Sequence, residues 1–237
     1  MQLQNINQNI NFGNNRLKYH RLEHIMRNGN NQFPHISPYR VCMRHQHKNL
    51  PQHFFEWMDK IGAVVDENRQ KVSSYNYVNV IKNELENVKE SKLGNCGENS
   101  AITLAALIAN GVKNFKVGLL LFDIITKEKG KEKILAKRTY NTTHEMVVLN
   151  STKEEYLDNK NKNAIILDSW MGFCGGVQKA ADKFHETFMD GTRKYLDSDG
   201  FEHTYQPRIL LYDLKINTTD ELSKDFAENY PELVINK

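Results

Sequence analysis

Leu93-Gly94-Asn95-Cys96-Gly97-Glu98-Asn99 runs directly into Ser100-Ala101-Ile102-Thr103-Leu104-Ala105-Ala106-Leu107-Ile108-Ala109 and stops at Asn110-Gly111. From Ser100 to Ala109 the stretch is Ala, Leu and Ile on almost every side. A helix with no polar face belongs inside a domain rather than on its surface. Asn110-Gly111 supplies a left-handed stop. Cys96 falls between glycines in the first turn, where unpaired N–H groups and the positive end of the helix dipole favour a thiolate. The Cys96 N–H can also face a developing oxyanion, and the small Gly94 and Gly97 allow a substrate to approach closely. Glu98 suits the dipole but opposes a thiolate, so a Lys or Arg partner is expected for it.

The chain before this helix reads as helical. Residues 1–15 are Asn/Gln-rich and form an expected flexible arm. A helix is expected over 16–28, closed by Asn28-Gly29-Asn30-Asn31. The stretch from Pro34 to Pro51 is irregular. Phe54, Phe55, Met58, Ile61, Val64 and Val65 then recur at helical spacing over 52–70, with Gly62 weakening or splitting that helix. Another helix is expected near 76–89.

After Gly111 the character changes to strands at 115–125, 133–140, 144–150, 163–170 and 208–216, with a charged hairpin turn at 127–133. Helices are expected at about 177–189 and 219–229. Helices first and then mostly adjacent strands is the α+β pattern. One domain over 16–237 is expected: a helical part to 92, the Cys96 helix with an antiparallel sheet over 93–216, and a terminal helix and tail over 217–237.

Composition narrows the possibilities. The 237 residues have a net charge of +3 and are 39% hydrophobic, enough for one core and a polar arm. No apolar run approaches the about 20 residues of a membrane span. The start, MQLQNINQNINFGNN, has neither the basic nor the apolar part of a cleavable signal. Cys42, Cys96 and Cys174 are too scattered for a disulfide framework or a four-ligand zinc site, and a soluble, intracellular, reduced protein is expected. Residues 1–48 carry seven Lys/Arg and one acidic residue, whereas the rest is slightly acidic. That basic start lacks a cationic cluster or aromatic platform, so no nucleic-acid partner is expected. Cys42, His45 and His47 could seed a metal site but lack a visible fourth ligand, and no metal or cofactor is expected.

A thiolate nucleophile needs a base with an orienting carboxylate. Taking 144–149 and 163–168 as a hairpin centred on residue 156 pairs 144 with 168, 146 with 166 and 148 with 164. His144 then faces Asp168 on one side of the sheet, a placement that a one-residue slip would undo. His20, His24, His35, His45, His47 and His53 lie upstream, His185 on a helix and His203 in a loop, and all fit this role less well. Cys174, before Gly175-Gly176, reads as a packing or loop residue.

Gly94-Asn95-Cys96-Gly97-Glu98, Thr143-His144-Glu145-Met146-Val147-Val148 and Ile166-Leu167-Asp168-Ser169-Trp170 together resemble the papain-like and transglutaminase-like cysteine clan. The nearest likeness is to compact bacterial effectors of the glutamine-deamidase, transglutaminase and cysteine-protease groups. The resemblance covers residues 94–172. It implies a papain-like core with Cys96 as nucleophile, His144 as general base, Asp168 as the ring-orienting acid, and Asn95, Gly97 and Trp170 lining the site. It further implies a host protein as substrate, with glutamine side-chain amides deamidated or transamidated through a thioester. Proteolysis, or a non-catalytic binding module on the same fold, is the alternative. Glu90 stands where papain-type proteases carry an oxyanion glutamine. The acidic C-terminus with Leu233-Val234-Ile235 resembles translocation signals of type IV secreted effectors, implying delivery from a bacterial cytoplasm into a host cell.

Overall fold

The computed structural model describes residues 15–37, 52–70, 76–150, 156–157, 161, 163–189, 191–212, 216 and 218–235. Among the described residues, the first elements are the helices α1 (Asn15–Gln32), α2 (Gln52–Gln70), α3 (Tyr77–Ser91) and α4 (Cys96–Ala109). The rest comprises β1 (Phe115–Glu128), β2 (Ile134–Leu149), β3 (Tyr156–Leu157), β4 (Ile165–Asp168), β5 (Phe173–Gly176), α5 (Val177–Phe188), β6 (Lys194–Leu196), β7 (Phe201–Tyr212), α6 (Asp220–Asn229) and a 3-10 turn (Pro231–Leu233). This is an α+β fold. Of the arm expected over 1–15, Asn15 instead begins α1 and the rest lies outside the described residues, as does the Cys42, His45 and His47 cluster.

Helix α4 is the centre of the structure. Every residue from Glu98 to Ala109 is buried, as its all-round apolar body demands. It packs against α1, α3 and α6 and against β2 and β4. Gly29 corrects an expectation: α1 continues through Asn28-Gly29-Asn30-Asn31 to Gln32 instead of stopping. A Cβ on Gly29 would lie 3.1 Å from Ala106 Cβ and 3.2 Å from Ile102 Cγ2. The glycine is a point of close approach between α1 and α4, and that packing offsets its poor helix propensity. Gly62 likewise leaves α2 unbroken.

The sheet is antiparallel with strand order β3-β7-β1-β2-β4-β5, and β6 adds to β7. Alternation gives it two buried faces. Phe115, Val117, Val147, Leu149, Ile165 and Leu167 join α1, α3, α4 and α6 in one core, while Leu120, Phe122, Met146, Val148, Ile166 and Ile209 meet Val177, Ala180 and Phe184 of α5 in the other.

Several strands differ from the sequence reading. The expected strands 133–140 and 144–150 are one strand, β2, interrupted by a bulge. Leu120 pairs with His144 but Leu121 pairs with Asn141, leaving Thr142 and Thr143 unopposed, and Thr143 has φ 55°. The expected strand over 208–216 begins earlier, at Phe201, and its described part, Phe201–Tyr212, pairs along its whole length with β1, while 213–215 lie outside the described residues. The segment 163–170 yields only Ile165–Asp168 before turning into β5, which Phe173-Cys174-Gly175-Gly176 gives no periodic hint of. Between β2 and β4, Tyr156 and Leu157 pair with β7, so the two strands do not form a simple hairpin. Their pairing is Val147 with Leu167, Val148 with Ile166 and Leu149 with Ile165, two residues from the expected register. An even slip preserves the face each side chain occupies.

The C-terminal segment docks on the core. Phe226, Tyr230 and Leu233 are buried, Asn110 Nδ2 donates to Leu233 O at 2.8 Å, and Ile235 N–H donates to Asn110 Oδ1 at 3.0 Å. Among the described residues, no helix is long and apolar enough to cross a membrane.

Candidate active site

Cys96 opens α4 and is half-buried. The turn around it is fixed from both sides. Asn95 is the N-cap, and its N–H donates to Glu98 Oε2 at 2.6 Å, the return half of a capping box. The buried Glu98 carboxylate therefore acts on the backbone of this turn. Gly94 corrects another reading. A Cβ there would stand 2.9 Å from Glu98 Cβ and 3.1 Å from His35 Cδ2, so this glycine lets the turn close rather than admitting a substrate. Gly97 is half-buried beside the thiol. The first-turn N–H groups of α4 have no carbonyl one helical turn back, which leaves a polarised patch next to the sulfur.

The Cys96 thiol donates to Thr143 O at 3.5 Å and is also a hydrogen-bond partner of the His144 ring. The bulge at Thr142 and Thr143 brings both partners there. Thr142 Oγ1 donates to Leu120 O at 2.7 Å and accepts the His144 N–H at 3.1 Å, while Asn141 Oδ1 accepts the Thr143 N–H at 2.8 Å. Thr143, a non-glycine residue at φ 55° beside Cys96, is backbone strain held in place by its surroundings.

His144 Nε2 meets Asp168 Oδ2 at 2.5 Å, and both side chains are almost fully buried. With Nε2 committed to the carboxylate, Nδ1 is the nitrogen left for the thiol. The second Asp168 oxygen, Oδ1, accepts the Met171 N–H at 2.9 Å, so the carboxylate is held at both ends. Burial pulls the His144 pKa down, but Asp168 and the Cys96 sulfur outweigh it and push it up to about 10.

Trp170 and Phe188 enclose the imidazole. Each ring centroid lies 5.0 Å from that of His144, and the two rings stack on each other at 6.1 Å. Trp170 Nε1–H donates to Ser37 Oγ at 2.7 Å, and the Ser37 hydroxyl donates to Asn95 Oδ1 at 3.1 Å. That relay ties the turn after β4 to the turn carrying Cys96. A parallel tie runs through Ser169, whose Oγ donates to Asn99 O at 3.0 Å and accepts from Thr103 Oγ1 at 3.1 Å. Asn99 Nδ2 donates to Asn95 O at 2.7 Å and to His35 Nε2 at 2.8 Å, with His35 Nδ1–H donating to Phe33 O at 2.8 Å.

All six site residues read from the sequence converge here: Asn95, Cys96, Gly97, His144, Asp168 and Trp170. Ser37, Asn99, Thr143, Ser169 and Phe188 were not read. Phe188 follows Phe184 by one turn of an amphipathic helix, which was a usable signal, and the Asn-Thr-Thr interruption before His144 marked the bulge. Nothing local distinguishes Ser37. Cys174 lies apart on β5, its thiol donating to Tyr19 O at 3.7 Å, and burial pushes its pKa up to about 12. His185 packs edge-on to Phe122, and His203 bonds Asp197 and Thr126, both away from this cluster. Among the described residues no group of three or more His, Cys, Asp or Glu could hold a metal ion. No family model, curated protein or solved structure matches the chain.

Proposed function

We propose that Cys96, His144 and Asp168 form a catalytic triad that attacks carboxamides, with the glutamine side chains of a protein as substrate and a papain-like or transglutaminase-like core as its scaffold. The observation that carries this reading is the buried relay from Asp168 Oδ2 through His144 to the Cys96 sulfur at a helix N-terminus. Sγ forms a bond to the amide carbon while the carbonyl oxygen takes up negative charge beside the first-turn N–H groups. His144 gives its proton to the departing nitrogen and ammonia leaves, forming a thioester. Water or an amine then attacks the thioester, His144 takes the attacker's proton, and the thiolate is restored with a carboxylic acid or a new amide as product.

Side-chain amides are favoured over the peptide bond because the oxyanion glutamine of papain-type proteases has no counterpart: Glu90 is exposed near the end of α3. Intact-mass analysis of candidate target proteins treated with native or Cys96→Ala protein tests the reading. A gain of about 1 Da per site means deamidation and a loss of about 17 Da means crosslinking, both through the thioester. Fragments mean proteolysis, and identical masses with both proteins contradict an enzymatic role.

A further inference from the structure

Strand β2 has neighbours on both sides only at Val147, Val148 and Leu149, where β4 pairs with it. From Ile134 to Thr143 its partners among the described residues lie on β1 alone. Eight of those ten residues are exposed and the other two half-buried, so water rather than protein covers this edge. Ile134 to Asn141 is about 25 Å of extended chain whose outer side has no partner strand among the described residues. It ends at the bulge whose Thr143 carbonyl accepts from Cys96. A chain laid along this edge therefore arrives at the sulfur.

The charge on the edge says what it accepts. Residues 134–141 carry Lys137 and Arg138 and no acidic residue, and the turn over 129–133 that leads into them adds three Lys and one Glu, with Lys131 paired to Glu128 at 2.7 Å. Lys137 is drawn to Asp123 at 3.2 Å, where Arg208 and Thr139 also bind, which leaves Arg138 exposed on the opposite face. Two such edges repel each other, so self-pairing is disfavoured, while an acidic strand is attracted. Ile134, Leu135 and Tyr140 are each about half exposed along the same run and offer apolar contact to alternate residues of an incoming strand.

We infer that the β2 edge from Ile134 to Asn141 takes an extended, acidic peptide segment as an added strand, placing the residue that follows it at Cys96. Main-chain hydrogen bonds supply the affinity and the basic edge selects the sequence. That the bound segment is substrate rests on the triad reading of Cys96, His144 and Asp168.

The test uses fluorescence anisotropy with full-length Cys96→Ala protein and a labelled peptide, Glu-Val-Glu-Val-Glu-Gln-Gly. Controls are its Lys-for-Glu counterpart and two versions N-methylated at alternate amides. The acidic peptide binds about tenfold more tightly than the basic one, the size of two or three exposed charge pairs. One N-methylated version loses binding and the other keeps it, because successive strand amides point to opposite sides. Arg138→Glu narrows the preference. Equal binding of acidic and basic peptides, equal effects of the two methylation patterns, or no binding of any peptide overturns the inference. The peptide series on the unaltered edge stands even if Arg138→Glu fails to fold. Turnover by native protein separates the two readings: release of ammonia from acidic and basic peptides alike leaves the triad intact and removes the edge preference. Patterned docking with no ammonia released removes the triad's role and leaves a binding site.

Discussion

His144 and Asp168 meet across a diagonal of the sheet. Continuing the Val147–Leu167 pairing by one residue sets Asp168 beside Met146, two residues from His144, yet Nε2 and Oδ2 are 2.5 Å apart. Diagonal neighbours on one face lie within reach of a ring, and the bulge at Thr142 and Thr143 tips His144 toward the end of β4. With both Asp168 oxygens engaged, Asp168→Asn keeps the shape of the site but loses the charge that holds the imidazole. Its kcat on a glutamine substrate should fall by roughly two to four orders of magnitude with KM little changed.

The pH dependence follows from the same pair. The folded pKa of His144, about 10, lies above the ordinary 6.5, so folding favours the protonated ring. Its stabilisation is complete below about 6.5 and is lost as pH rises through about 10. Urea titrations of native and His144→Ala protein should therefore differ most below about pH 6.5 and converge above about pH 10. A gap that widens with pH contradicts the assignment.

Ser37 joins Trp170 to Asn95. Ser37→Ala leaves the indole N–H and the Asn95 Oδ1 without their shared partner, both buried. Stability should drop by about 1–3 kcal/mol in denaturant titration. Turnover should fall as well, because the relay positions the turn that carries Cys96.

Two glycines provide a paired test of packing. Gly94→Ala places a methyl 2.9 Å from Glu98 Cβ, so the turn before Cys96 must shift, and both melting temperature and turnover should fall. Gly62→Ala meets nothing within 4 Å inside α2. It should raise stability by about 0.5–1 kcal/mol with activity unchanged.

Much of this architecture was legible because it depends on local pattern. The apolar body of α4, the Gly-Asn-Cys-Gly start and the alternating strands report their own burial and period. Gly29 was misread as a stop because its function is set by Ile102 and Ala106, more than seventy residues away in sequence. The register of β2 and β4 was wrong by two because the pairing of Tyr156 and Leu157 with β7 is invisible locally, and His144 stayed with Asp168 because the slip was even. Ser37 escaped notice for the same reason as Gly29: its partners come from α4 and from the turn after β4.

Alkylation of Cys96 tests the central claim most directly. Iodoacetamide at neutral pH, followed by peptide mapping, should modify Cys96 well before Cys174, whose burial keeps its thiol protonated. His144→Ala should slow Cys96 at least about tenfold, since the imidazole that favours its thiolate is gone. A Cys96 that reacts no faster than a free model thiol, at a rate indifferent to His144→Ala, would contradict a catalytic triad at this site.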